Sequence, residues 1–248
     1  NGCSILSYNN LIGRNYDWMC DSIRTVELIR ADIKGFNQFV TIREGGFPDD
    51  KNGMYSKNYI HPISFCVDFI NDKFLYCGML WMNFSGKVES GISVFDYMRK
   101  MIETCDDVDD VIKFAKITPC GTPKFIYVAD AKGNNIVIEH YSGLNYFIRK
   151  PSHGLLAQTN HIINKPFIEY DNEKRRPESK GRLEIIENKC TKFKPENLFD
   201  IKTILDSINV FAIQKNKAST TYQLLMDLPN KKIYFFTKYK LYQLHELL

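Results

Sequence analysis

The sequence predicts an α+β fold in which two largely antiparallel β-sheets stack and carry a helix layer on each outer face. Two observations predict it. Strand-like and helix-like stretches come in runs: strands, helices, strands, helices, strands. A doubly wound fold would alternate them regularly. Neighbouring strand-like stretches are also joined by short turn signals at Asn9-Asn10, Asn71-Asp72, Asp130–Gly133 and Pro229-Asn230, as antiparallel neighbours are.

The elements follow in order. Ser4–Ser7 and Leu11–Arg14 flank Asn9-Asn10 and read as a hairpin. Strand-like stretches recur at Val26–Ile33 and Phe39–Ile42. Residues 44–61, rich in Gly, Asp, Asn and Lys, read as a loop over a site. Phe65–Ile70 and Phe74–Trp81 read as paired strands. From Ser93 the period changes: Val94, Tyr97, Met98 and Met101 fall at helical spacing. A second helix, from Asp107 to Lys116, has acidic residues in its first turn and lysines near its end, which complements the helix dipole. Strands return at Phe125–Ala129, Asn135–Glu139 and Tyr146–Arg149. Residues 178–189 and 201–208 read as helices, and Thr220–Met226 with Lys232–Phe236 form a closing strand pair.

The 248 residues suffice for one large domain with a deep core, expected to span residues 1–248, with no repeat, low-complexity tract or long linker. The net charge of +4, from 33 Lys and Arg against 29 Asp and Glu, is too small an excess to argue for nucleic-acid binding. Basic runs at Lys174-Arg175-Arg176 and Lys231-Lys232 read as solvated faces. No apolar stretch approaches the roughly 18 residues of a membrane span, and no signal peptide is visible, so the expected compartment is the cytoplasm. The chain opens at Asn1 rather than Met, which leaves room for a removed upstream segment. Seven cysteines, an odd number without a C-x-x-C pair, argue against a disulfide framework and a zinc site.

Cys3 is the residue that carries chemistry. Were Asn1-Gly2 removed, it would bear a free α-amine with a pKa of about 7.7–8.0, close to working pH for a general base. Nucleophile and base would then belong to one residue, and the Gly2 carbonyl is open to attack by the thiol that follows it. Arg14 and Asp17, in Gly13-Arg14-Asn15-Tyr16-Asp17-Trp18, are of opposite strand parity and would face opposite sides unless a bulge or turn intervenes. The bland reading is a surface ion pair. The functional one has Asp17 holding the α-amine and Arg14 lowering the thiol pKa. Asn83, in Trp81-Met82-Asn83-Phe84-Ser85-Gly86, and Asn160, in Gln158-Thr159-Asn160-His161, each follow an apolar run, where a carboxamide can donate to an oxyanion. Each is alternatively a turn residue. A papain-like dyad with His161 as base is a competing arrangement, though none of the five histidines has the local context of that class.

These residues resemble a known family. Cys3-Ser4-Ile5-Leu6 with Gly13–Trp18 is similar to the opening of the choloylglycine hydrolase and penicillin V acylase group. It is similar also to the acyl-transferase branch of isopenicillin N acyltransferase and the acid-amidase-like enzymes. Trp81–Gly86, Thr159-Asn160-His161, Ser179-Lys180-Gly181-Arg182 and Thr220–Tyr234 resemble its later segments, in the same order and over nearly the whole chain. The resemblance implies a four-layer αββα N-terminal-nucleophile fold that works without metal or organic cofactor. It implies Cys3 as nucleophile, Arg14 and Asp17 as its immediate partners, and Asn83 and Asn160 as oxyanion or substrate-orienting donors. Arg182 would stabilise the site or contact substrate. The expected activity is hydrolysis of a small linear amide or N-acyl substrate through a Cys3 thioester, by an enzyme that often assembles into oligomers. Alternatives are acyl transfer, and an inactive binding protein that kept the fold. Two departures stand out. Asn1-Gly2 precedes the cysteine, as a propeptide that the Gly-Cys junction would let cleave itself, or as a remnant of an added extension. The compact interval from Asn160 to Arg182 lacks room for the loops of a steroid pocket.

Overall fold

The computed structural model describes residues 2–19, 25–45, 66–171, 176–208, 218–237 and 241–248. Turn chemistry sets its first hairpin. β1 (Ser4–Tyr8) and β2 (Leu11–Met19) meet at Asn9 and Asn10, whose φ values of 48° and 73° are both positive. A two-residue turn that matches strand twist needs this conformation at both positions, and asparagine tolerates it.

Among the described residues the strands form two antiparallel sheets. One runs β10-β1-β2-β11-β12-β13, with β10 Leu155–Gln158, β11 Ala218–Asp227, β12 Lys232–Thr237 and β13 Leu241–Gln243. The other runs in chain order: β3 (Thr25–Ala31), β4 (Phe39–Gly45), β5 (Cys66–Asn71), β6 (Tyr76–Trp81), β7 (Lys124–Ala129), β8 (Asn135–Ser142) and β9 (Asn145–Arg149). Every strand pair is antiparallel, as the turn signals predict.

Helices α1 (Val94–Thr104) and α2 (Val108–Ile117) belong to the second sheet, and α3 (Arg176–Phe193) and α4 (Leu198–Asp206) to the first. Ser93 caps α1 by accepting from the Asp96 amide, and the expected stripe of Val94, Tyr97, Met98 and Met101 is buried. Asp107 caps α2 in the same way. Two cores result. The larger lies between the sheets and under α1 and α2; the smaller joins the first sheet to α3 and α4 through Leu6, Ala157, Ile186, Ile201 and Leu225. The layers are therefore αββα. α4 seats closely on β2 because Gly13 has no side chain: a Cβ there would meet Ile201 at 2.4 Å.

The expected loop over 44–61 begins later than the sequence suggests, since Glu44 and Gly45 still belong to β4; residues 46–61 lie outside the described residues, as do Phe65 and Lys174-Arg175. Lys231 and Lys232 are exposed, as read. The six described cysteines are buried free thiols. β10 and the three-residue β13 are the strands the sequence reading lacks, and β10 is the one beside the site. Its four residues are too short a run to carry a period, and only pairing with β1 makes it a strand.

Candidate active site

Strand register builds the site at the start of β1. Ser4 pairs with Asn15 and Ile5 with Gln158. Continuing both ladders by antiparallel count sets Asp17 opposite Gly2, and Asn160 opposite Cys3. β11 supplies Thr220 opposite Asp17, and its ladder shifts between Thr220 and Tyr222. The irregularity that strand parity asked for therefore lies on the partner strand and not between Arg14 and Asp17. Those two stay on opposite faces of β2, and Cys3, at the sheet's end, is within the electrostatic reach of both.

Cys3 is buried, and its Sγ lies 3.8 Å from the Asp17 carbonyl oxygen. Burial pushes the thiol pKa up, against the opposing pull of Arg14. The expectation that Arg14 lowers it holds in direction for that one interaction, but desolvation outweighs it. Arg14 is fully buried. Its Nε lies 2.9 Å from the Asp68 carboxylate and its Nη2 donates to the Met79 carbonyl at 2.6 Å, while Nη1 has no partner among the described residues. Burial works against the charge, but Asp68, joined by Tyr76, Cys3 and Tyr222, outweighs it and holds the guanidinium protonated.

Asp68 is the hub beneath the site. Tyr76 donates to its Oδ1 at 2.5 Å and Tyr222 to its Oδ2. Burial and the Asp68 charge push both phenols well up, so both remain donors. Gly78 makes the room: a Cβ there would stand 2.1 Å from the Tyr76 hydroxyl and 2.8 Å from Asp68.

Asp17 is the second anion. Thr220 donates to its Oδ1 at 2.6 Å, and Oδ2 is buried without a hydrogen-bond partner among the described residues. Burial pushes the carboxyl pKa up to about 6, against the Thr220 hydrogen bond and the charges of Arg182 and Arg14. Such a group is a base near neutrality.

Arg182, on α3, grips the start of the chain. Its Nη1 donates to the carbonyls of Gly2 at 2.5 Å and Cys3 at 2.7 Å and to the Ser4 hydroxyl at 2.6 Å; Nη2 donates to Asn160 Oδ1 at 2.9 Å. With its oxygen so held, the Asn160 carboxamide turns its nitrogen to the Trp81 carbonyl, 2.9 Å away. Ser179 accepts from the Asn160 amide at 2.7 Å, three residues before Arg182 on α3. Gln158 donates to the carbonyls of Thr159 and His161, either side of Asn160.

Of the residues singled out in the sequence, Cys3, Arg14, Asp17, Asn160 and Arg182 converge. Asn83 follows the end of β6, half-buried and without a hydrogen bond among the described residues, two residues beyond the Trp81 carbonyl that Asn160 contacts. His161 faces other partners: its Nδ1 lies 2.8 Å from Ser179 Oγ and 3.1 Å from Thr159 Oγ1. Asp68, Tyr76 and Gly78 are the residues that sequence reasoning missed. A lone carboxylate inside an otherwise apolar strand, Cys66–Asn71, was the available signal for the first. Among the described residues no three His, Cys, Asp or Glu side chains are grouped so as to hold a metal ion, and no helix is long and apolar enough to cross a membrane.

The family described as acyl-coenzyme A:6-aminopenicillanic acid acyl-transferase matches residues 7–239. No curated protein matches the chain by sequence. Among solved structures, two variants of the conjugated bile acid hydrolase from Clostridium perfringens are similar to it. One is 13% identical, covering 98% of this chain and 92% of that one with a TM-score of 0.63. The other is 12% identical, covering 98% and 93% with a TM-score of 0.65. Penicillin V acylase from Agrobacterium tumefaciens is 12% identical, covering 97% and 85% with a TM-score of 0.58. At such identities the likeness is one of fold.

Proposed function

Because the chain belongs to the acyl-coenzyme A:6-aminopenicillanic acid acyl-transferase family, we propose that it breaks linear amides through a Cys3 thioester after freeing the α-amine of Cys3. The observation that carries this reading is Asp17 Oδ2, a buried carboxylate oxygen beside Cys3 with no partner among the described residues. A buried unpaired oxygen is costly, and an α-ammonium is the donor that would satisfy it.

Freeing the amine is a self-cleavage. Asp17 takes the thiol proton, and the Cys3 thiolate attacks the Gly2 carbonyl carbon. Arg182, at 2.5 Å from that carbonyl oxygen, stabilises the oxyanion. The C–N bond breaks as the Cys3 nitrogen takes a proton, leaving a Gly2 thioester. Water hydrolyses it to a Gly2 carboxylate and restores the thiol. The new amine, with a pKa of about 7.7–8.0, then replaces Asp17 as base and Asp17 holds it in place. In turnover the thiolate attacks a substrate amide, Asn160 and Asn83 donate to the oxyanion, and the leaving amine departs protonated. Water or a second amine resolves the thioester. The family match supports the second amine as acceptor, hence acyl transfer alongside hydrolysis.

Intact-mass measurement with turnover of N-acyl amino acid and penicillin V amides tests the reading. The expected results are a chain that begins at Cys3, and a Cys3→Ala protein that keeps Gly2 and turns nothing over. A native chain that keeps Gly2, or full turnover by Cys3→Ala, overturns it. Adding an amine acceptor and measuring new amide against free acid separates transfer from hydrolysis.

A further inference from the structure

A cavity of about 600 Å³, within the range of small-molecule sites, lies at the other end of β1 from Cys3. Tyr8 on its wall ends β1, about 17 Å of strand away from Cys3 at roughly 3.3 Å per residue.

Its charge is lopsided. Arg149, Lys150 and Lys194 line it against one carboxylate, Glu187. Arg149 is the fixed cation among them. Its Nε donates to the buried Glu139 at 2.9 Å, and its Nη2 donates to the Ala157 carbonyl at 3.0 Å and to Gln158 Oε1. Its Nη1 makes no hydrogen bond among the described residues, so a guanidinium locked on two nitrogens keeps the third for a ligand. Beside these charges Leu155 and Tyr8 offer an apolar wall.

We propose that this cavity binds a small organic carboxylate with an apolar body. The carboxylate sits on Arg149 Nη1 and the ammonium groups of Lys150 and Lys194, and the body lies against Leu155 and Tyr8. One free guanidinium nitrogen and two lysines suit a single negative charge. Glu187 in the same cavity disfavours a doubly charged phosphate, and an apolar wall gives a bare inorganic anion nothing to bury.

Calorimetric titration of the Cys3→Ala protein with sodium octanoate, and separately with inorganic phosphate, tests this. Octanoate is expected to bind at one site at least tenfold more tightly than phosphate. The exposed Lys150→Glu and Lys194→Glu changes, made together, are expected to weaken octanoate at least tenfold without moving the thermal midpoint. Three outcomes overturn the proposal: no octanoate binding up to about 10 mM, octanoate binding that survives both charge reversals, and phosphate binding as tightly as octanoate.

Discussion

Replacing Asp68 by asparagine tests whether the buried Arg14–Asp68 pair, rather than general packing, holds the floor of the site. Both side chains are fully buried, and the guanidinium lies 2.9 Å from the carboxylate. The carboxamide keeps the shape and an acceptor for Tyr76 or Tyr222 but removes the counter-charge, which leaves Arg14 as an uncompensated buried cation. Breaking one side of such a pair costs about 3–5 kcal/mol. For a chain of this length each kcal/mol moves the thermal midpoint by about 2–4 °C, so a fall of roughly 6–20 °C is expected. Removing both charges together, as Arg14→Met with Asp68→Leu, recovers most of that loss, because neither partner is then stranded. Scanning calorimetry of Arg14→Met, of Asp68→Leu and of the double closes the cycle. An Asp68→Asn protein within about 1 °C of wild type refutes the reasoning, and so does a double variant whose loss equals the sum of the singles.

Three further outcomes follow from the same geometry. Burial raises the Asp17 carboxyl to about 6 from an ordinary 3.8, so the folded state binds that proton more tightly. While Gly2 is attached, its contribution is present below pH 4 and is lost as pH rises to about 6, a change of about 3 kcal/mol at 1.36 kcal/mol per unit. Urea unfolding at pH 4 and pH 7 is expected to give a pH 4-to-pH 7 change in stability about 3 kcal/mol less favourable in a Cys3→Ala protein than in Cys3→Ala/Asp17→Asn; the same pH dependence in both refutes it. His140 behaves oppositely: burial against Tyr97 and Tyr146 depresses it to about 4, and neither ring nitrogen has a hydrogen-bond partner among the described residues. Stability present above pH 6.5 is lost as pH falls to about 4, by roughly 3 kcal/mol, and His140→Phe is expected to abolish that loss in acid-unfolding curves. Gly78→Ala drives a Cβ to 2.1 Å from the Tyr76 hydroxyl, and is expected to cost about 1–3 kcal/mol by urea unfolding. A silent substitution would mean that the Tyr76–Asp68 contact is dispensable.

Much of the architecture was legible locally. Asn9-Asn10 turns the first hairpin with two positive φ angles because asparagine tolerates them, and Ser93 starts α1 because its hydroxyl caps the helix. Leu155–Gln158 was not legible as a strand, since four residues carry no period and its strand identity comes from β1 alongside it. Nor was the answer to the Arg14–Asp17 parity problem. The sequence raised the problem; the two residues stay on opposite faces of β2, and the register of β1 against β2 brings Cys3, at the sheet's end, within reach of both.

Alone, the sequence determined most of the order of strands and helices, the turns between neighbours, and the presence of Cys3, Arg14, Asp17, Asn160 and Arg182 as the residue types able to carry chemistry. These are properties of local spacing, capping and residue chemistry, and the chain states them wherever it is read. The tertiary structure decided that Asp68, Tyr76 and Tyr222 surround Arg14, that Asp17 Oδ2 lacks a partner among the described residues, and that Arg182 holds the carbonyl before the nucleophile. Each depends on which strands become neighbours, in what register, and on how burial removes water from the charges between them. No local pattern in the sequence carries that information.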